Sequence, residues 1–184
     1  RDRLRSRGLG DVYKRQPSIS QLGTSAYVTI SQEEVLGLIS EISDLIKENG
    51  AMSAIHCCGK CDWSLPIKAG VDIINLDAYN FAQNLSLFSK ELDDYLKQGR
   101  KIAWGVVPTL DKDALEAADK QTIISIFEKA VKYLTNKGID EKIIIENSLI
   151  TPSCGAGSLS EDLAFKAMDL TKKVSDSLKE RYKI

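Results

Sequence analysis

The chain carries a single histidine, and it opens the run His56-Cys57-Cys58-Gly59-Lys60-Cys61. Three of the four cysteines thus crowd together, and the fourth, Cys154, stands in Pro152-Ser153-Cys154-Gly155. Thiolates and imidazole are donors that suit zinc and its neighbours among the transition metals. In extended chain, residues i and i+2 point to the same face. His56 and Cys58 would then aim at one point, while Cys57 faces away and packs as a small hydrophobe. Asp77 directly follows the apolar run Val71 to Leu76. It is either a carboxylate donor or the cap of the next helix. Cys58-x-x-Cys61 has the spacing of a thiol–disulfide pair, but such pairs open a helix in a thioredoxin-like βαβ unit, which nothing else here resembles. It also has the spacing that starts a structural zinc knob, whose second half is missing. Spacing therefore leaves a metal site of His56, Cys58 and Cys154, with Asp77 as a fourth donor, beside the plainer alternative of packed cysteines and a helix cap.

Composition narrows the setting. Of 184 residues, 43% are apolar and 28% charged, with a net charge of −1, which is a folding chain and not a disordered one. Near-neutrality offers nucleic acid no basic surface. No run approaches the roughly 18 apolar residues of a membrane span. The Arg-rich start leads into no apolar segment of the signal-peptide kind. The expectation is a cytoplasmic protein with neither nucleic acid nor membrane as partner, whose crowded cysteines serve metal or redox chemistry.

Residues 1–16, RDRLRSRGLGDVYKRQ, differ in kind from the rest. Six Lys/Arg against two acids give this segment a net charge of +4, and it has no helical or strand period. Its end, DVYKRQ, is what GAT GTG TAT AAG AGA CAG encodes, the end sequence of a library-transposon adapter read as protein. The segment reads as a non-native leader, with the true chain starting near Pro17 and an upstream half missing.

From Pro17 to Ile30 the chain is polar and irregular. Ser31-x-x-Glu34 is a capping box opening a helix, with Val35, Leu38, Ile39, Ile42, Leu45 and Ile46 as its apolar stripe and Asn49-Gly50 as its stop. The pattern then predicts a strand over 51–55, a short helix over 63–68, a strand over 71–76, a helix over 85–97, and a strand over 101–107. A helix over 121–136, a strand over 142–146 and a final helix from Ser160 complete it. Four βα units with apolar strands indicate a parallel sheet covered by helices. Half of a (βα)8 barrel and an open doubly wound sheet both fit, and the lack of a glycine-rich phosphate fingerprint weakens the second. His56, Cys58, Asp77, Pro108-Thr109 and Cys154 all follow strand ends, which in a barrel share the C-terminal mouth. Pro108 and Thr109 equally suit a plain turn, and Trp63 and Trp104 read as packing.

IHCCGKCDW, AGVDIINLDAY, IAWGVVPT and SLITPSCG together resemble the C-terminal half of the barrel shared by cobalamin-independent methionine synthases and the uroporphyrinogen decarboxylase-like corrinoid methyltransferases. The resemblance runs from about Pro17 to the C-terminus, and even the start, PSIS, is similar to the residues after an Asp-Glu-Pro motif in these enzymes. It implies an α/β fold, the C-terminal half (four βα units) of a (βα)8 TIM barrel over residues 17–184. The family pattern is His-x-Cys after one strand, an acid after the next and Cys-Gly after the last. These fall on His56 and Cys58, on Asp77, and on Cys154 with Gly155. Methionine synthases carry Glu where this chain has the shorter Asp77.

The implied chemistry is zinc-dependent. A zinc held by two thiolates, a carboxylate and neutral imidazole carries one net negative charge and activates water poorly. It still deprotonates an incoming thiol, which keeps enough nucleophilicity to attack a methyl group. The resemblance implies a methyltransferase acting in methionine biosynthesis. Its acceptor would be a small thiol such as homocysteine, and its donor methyl-tetrahydrofolate or a methylcorrinoid, the latter carried on a corrinoid protein in some relatives. Two rivals are a metal-free decarboxylase of the uroporphyrinogen type and a non-catalytic zinc-binding module. Cys61 is a bystander or reserve ligand in this reading, and Cys57 should tolerate Ser.

Overall fold

The computed structural model describes residues 31–184, so the basic leader and the polar stretch before Ser31 lie outside the described residues. The fold is α/β, with a four-stranded sheet in the order β1-β2-β3-β4. Its strands are β1 (Ala54–Cys57), β2 (Ile73–Leu76), β3 (Lys101–Val107) and β4 (Ser148–Pro152). By internal packing the chain divides within β2, into one unit that ends at Asn75 and another spanning Leu76–Ile184.

In the first unit, helix α1 (Gln32–Glu48) starts at the capping box the sequence announces: Ser31 Oγ accepts from Glu34 N, and Glu34 accepts from Ser31 N. Its apolar stripe is less buried than its periodicity implies. Leu38, Ile42 and Leu45 are each more than half exposed. What ties α1 down is polar. Ser43 Oγ donates to Ser53 Oγ at 2.8 Å, and Ser53 donates through both N and Oγ to Asp72 Oδ2. Asp72 N returns a bond to Ser53 Oγ at 3.0 Å. Ser43 and Ser53 are both buried, so this closed network satisfies groups whose desolvation would otherwise cost about 1–3 kcal/mol each. It fixes the residues just before β1 and β2, and so the register at which those strands reach their C-terminal ends. Between them lies α2 (Ser64–Lys68), entered through a turn in which Asp62 Oδ1 accepts from Ser64 N and Oγ.

The second unit carries α3 (Ala78–Leu85), a 3-10 turn (Ser86–Phe88), α4 (Ser89–Lys97), β3, α5 (Lys112–Ala117), α6 (Lys120–Thr135), α7 (Glu141–Glu146), β4 and α8 (Glu161–Tyr182). From Ile102 to Val107, β3 is buried throughout, as its unbroken apolar sequence requires. Trp104 is its anchor: fully buried, edge-on to Phe127 of α6 at 6.0 Å, with Nε1 donating to Ser148 Oγ at 2.9 Å. β3 pairs in parallel with β4, Trp104 opposite Ile150 and Gly105 opposite Thr151, before an irregularity that sets Val107 opposite Pro152.

Two sequence expectations need correction. Residues 142–146 are not a strand but lie in helix α7, because Asp140 caps it, accepting from Lys142 N at 2.7 Å. The fourth strand is the next segment, Ser148–Pro152. Likewise, the helix expected over 85–97 is two helices parted by the 3-10 turn, and α3 begins directly at Asp77.

Candidate metal centre

β1 carries His56 inside the strand and ends on Cys57, with Cys58 the first residue beyond. Alternation along the strand separates them as expected: Cys57 is 2% exposed, whereas His56 and Cys58 are half-buried. Cys154 lies two residues past β4. The ligand atoms of His56, Cys58 and Cys154 all lie within 4.8 Å of one another. Two sulfurs and one imidazole nitrogen at that separation can hold a metal ion.

The imidazole is oriented by a strand neighbour. His56 Nδ1 lies 2.5 Å from Asn75 Oδ1. An amide oxygen only accepts, so Nδ1 carries the proton and Nε2, which is buried, is the lone-pair nitrogen a metal would use. Sequence reasoning does not single out Asn75. Its one signal is being a polar side chain inside an apolar strand, two positions before Asp77 and hence on the same face.

Cys154 is held through its backbone. Thr109 is 2% exposed, and its Oγ1 accepts from Cys154 N at 3.0 Å while donating toward Cys154 O at 3.1 Å. Ser153, 1% exposed, accepts from Thr109 N at 3.1 Å. Thr109 thus clamps the loop after β4 to the loop after β3, a role beyond the turn residue its place after Pro108 suggested. Thr109→Val keeps the shape and removes the hydroxyl, leaving buried backbone groups unsatisfied. A loss of about 1–3 kcal/mol of stability is expected, with metal affinity down roughly 10–100-fold and Thr109→Ser recovering most of it. Chemical denaturation and a competitive metal titration read the two effects.

Asp77 departs from the four-donor expectation. Among the described residues it is not a member of the ligand group. It is fully buried as the N-cap of α3, where Oδ1 accepts from Asn80 N at 3.0 Å and Oδ2 from Asn80 Nδ2 at 2.8 Å. The short carboxylate is thereby committed to the helix start.

Cys57 and Cys61 also differ from their sequence reading as a packed hydrophobe and a bystander. Their thiols hydrogen-bond to one another. That bond pulls the Cys57 thiol down to about 7 against the opposing effect of burial, with help from the Gly59 backbone. The same bond, burial and the neighbouring negative charges push Cys61 up. The CxxC spacing pointed to Cys58 as the partner of Cys61, whereas the structure pairs Cys61 with Cys57.

Among the described residues no helix is long and apolar enough to cross a membrane. No protein-family model matches the chain, and no curated protein or solved structure matches it either.

Proposed function

We propose that the chain forms the zinc-binding part of a thiol S-methyltransferase of the methionine-synthase type. In this reading it moves a methyl group from methyl-tetrahydrofolate or a methylcorrinoid to a small thiol such as homocysteine. The single observation that carries the reading is the convergence of His56, Cys58 and Cys154 within 4.8 Å. The sheet order β1-β2-β3-β4, without a reversal, supports the barrel half over the doubly wound alternative, whose strand order switches direction. The donor groups then gather at the strand C-termini, where barrel enzymes keep their chemistry.

The donor set fits zinc: two sulfurs and a nitrogen are typical of it, and three protein donors leave one tetrahedral position for substrate. Zinc bound there would supply a Lewis acid that takes up the substrate thiol in its deprotonated form. The rest falls to the chain. Asn75 keeps His56 neutral and aimed through Nε2. Thr109 and Ser153 fix the backbone that carries Cys154. Asp77, engaged by Asn80, orders the start of α3 and adds no negative charge to the donor set. With two thiolates alone, the charge of the dication is balanced, which spares the bound thiol the repulsion a third anionic ligand would add.

Thiol uptake tests this directly. Protein loaded with Co(II), a spectroscopic stand-in for zinc, should show a sulfur-to-metal charge-transfer band that grows when homocysteine is added and is unmoved by homoserine. A loaded protein whose spectrum ignores homocysteine has a closed site, which is the zinc-module reading and overturns this one.

A further inference from the structure

The Cys57–Cys61 pair is unused by the metal chemistry above, yet the structure gives it an arrangement of its own. Cys57 is the last residue of β1, and Cys61 precedes the Asp62–Ser64 turn that opens α2, so both are anchored by ordered backbone. Both are buried, at 2% and 4% exposure, with their thiols in hydrogen-bond contact. Between them run Cys58, half-buried Gly59 and exposed Lys60. A thiol pair already in contact needs little backbone movement to reach disulfide distance. We propose that Cys57 and Cys61 are a reversible disulfide site, oxidised by peroxide, whose closure encircles Cys58.

The step balances. The Cys57 sulfur attacks one oxygen of hydrogen peroxide, the O–O bond breaks, and a sulfenic acid and hydroxide result. The Cys61 sulfur attacks that sulfenic sulfur and expels its hydroxyl. The thiol protons end on the two hydroxides as two waters, and the two sulfurs give up two electrons to the peroxide. Peroxide is of water size, so it can reach a pair that a bulky disulfide reagent cannot. Closure joins residues 57 and 61 in a small ring that contains Cys58. A consequence, resting on the metal reading, is that oxidation turns the Cys58 sulfur away from His56 and Cys154 and so weakens metal uptake.

The linkage is read on metal-free, reduced protein treated with a small excess of peroxide and digested with trypsin without reductant. Lys60 lies between the two cysteines, so peptides Glu48–Lys60 and Cys61–Lys68 stay joined only if cross-linked. The joined species should form in the wild type and in Cys58→Ser, and be absent from Cys57→Ser and Cys61→Ser. Loss of the species in Cys58→Ser with retention in Cys57→Ser would mean the CxxC pair oxidises instead and overturns the proposal. So would peroxide-treated wild type in which the peptides stay separate. Because Cys58→Ser lacks a metal donor, its linkage stands or falls independently of the metal reading. A second readout, Co(II) uptake by oxidised wild type, should fall about tenfold and recover with a dithiol reductant, while Cys61→Ser is insensitive to peroxide. Unchanged uptake by fully cross-linked protein would overturn the coupling to Cys58.

Discussion

Cys154→Ser is expected to empty the site. Serine is nearly isosteric, but its hydroxyl does not ionise near neutrality and is a poor zinc ligand beside a thiolate. His56 and Cys58 alone would then hold the ion, and two donors do not retain zinc through purification. Zinc content should fall from about one per chain to a trace, and thiol uptake should go with it. The fold should persist, because Cys154 is half-buried and its backbone, not its sulfur, makes the bonds to Thr109. Elemental analysis paired with circular dichroism separates loss of metal from loss of structure. Full zinc in a folded Cys154→Ser protein would remove Cys154 from the donor set.

The largest effect away from the donors is expected at Gly105. A Cβ placed there would sit 2.5 Å from Leu76 O, 2.8 Å from Ser153 Cα and 2.9 Å from Pro152 O. All three are backbone atoms of segments that lead into Asp77 and Cys154, so no side chain can swing aside. Gly105→Ala must therefore push strand ends apart. Overpacking of this kind costs about 1–3 kcal/mol and more where backbone is the obstacle, and here the upper end or beyond is expected. The displacement falls on the loop that carries Cys154, so metal affinity should drop along with stability. A denaturation midpoint and a metal titration on Gly105→Ala test both. Wild-type values for each would mean that the strand ends yield freely.

Much of the fold is legible in the sequence where local signals and packing agree. β3 matches the apolar run KIAWGVV residue for residue, and α1 starts at its capping box. α6 runs over Lys120–Thr135, within a residue of its helical period. The failures share a cause. Ile143, Ile144 and Ile145 look like a buried strand, because a short apolar run has no period to tell strand from helix. The deciding signal is Asp140, whose side chain starts a helix there. Short α5 escapes the pattern for the same reason, although Asp111 caps it by accepting from Ala114 N.

The candidate site is legible in its donors and illegible in its supports. His56, Cys58 and Cys154 stand out because histidine and cysteine are scarce in this chain. Asp77 looks equally suitable by position, yet carboxylates after strands serve helix starts as readily as metals. Only the bonds to Asn80 decide between the two roles here. Asn75 and Thr109 act through partners remote in sequence, 19 and 45 positions away, which no local pattern reveals. The same holds for Cys61, whose choice of Cys57 over Cys58 depends on how the turn after β1 folds.

Zinc K-edge X-ray absorption tests the central claim most directly, because it counts the donors around the ion. Zinc-loaded protein should show two sulfurs at about 2.3 Å and nitrogen at about 2.0 Å, with a third sulfur on addition of homocysteine. A first shell without sulfur, or one already filled by four protein donors and unchanged by homocysteine, would contradict the assignment of His56, Cys58 and Cys154 as an open, thiol-accepting metal centre.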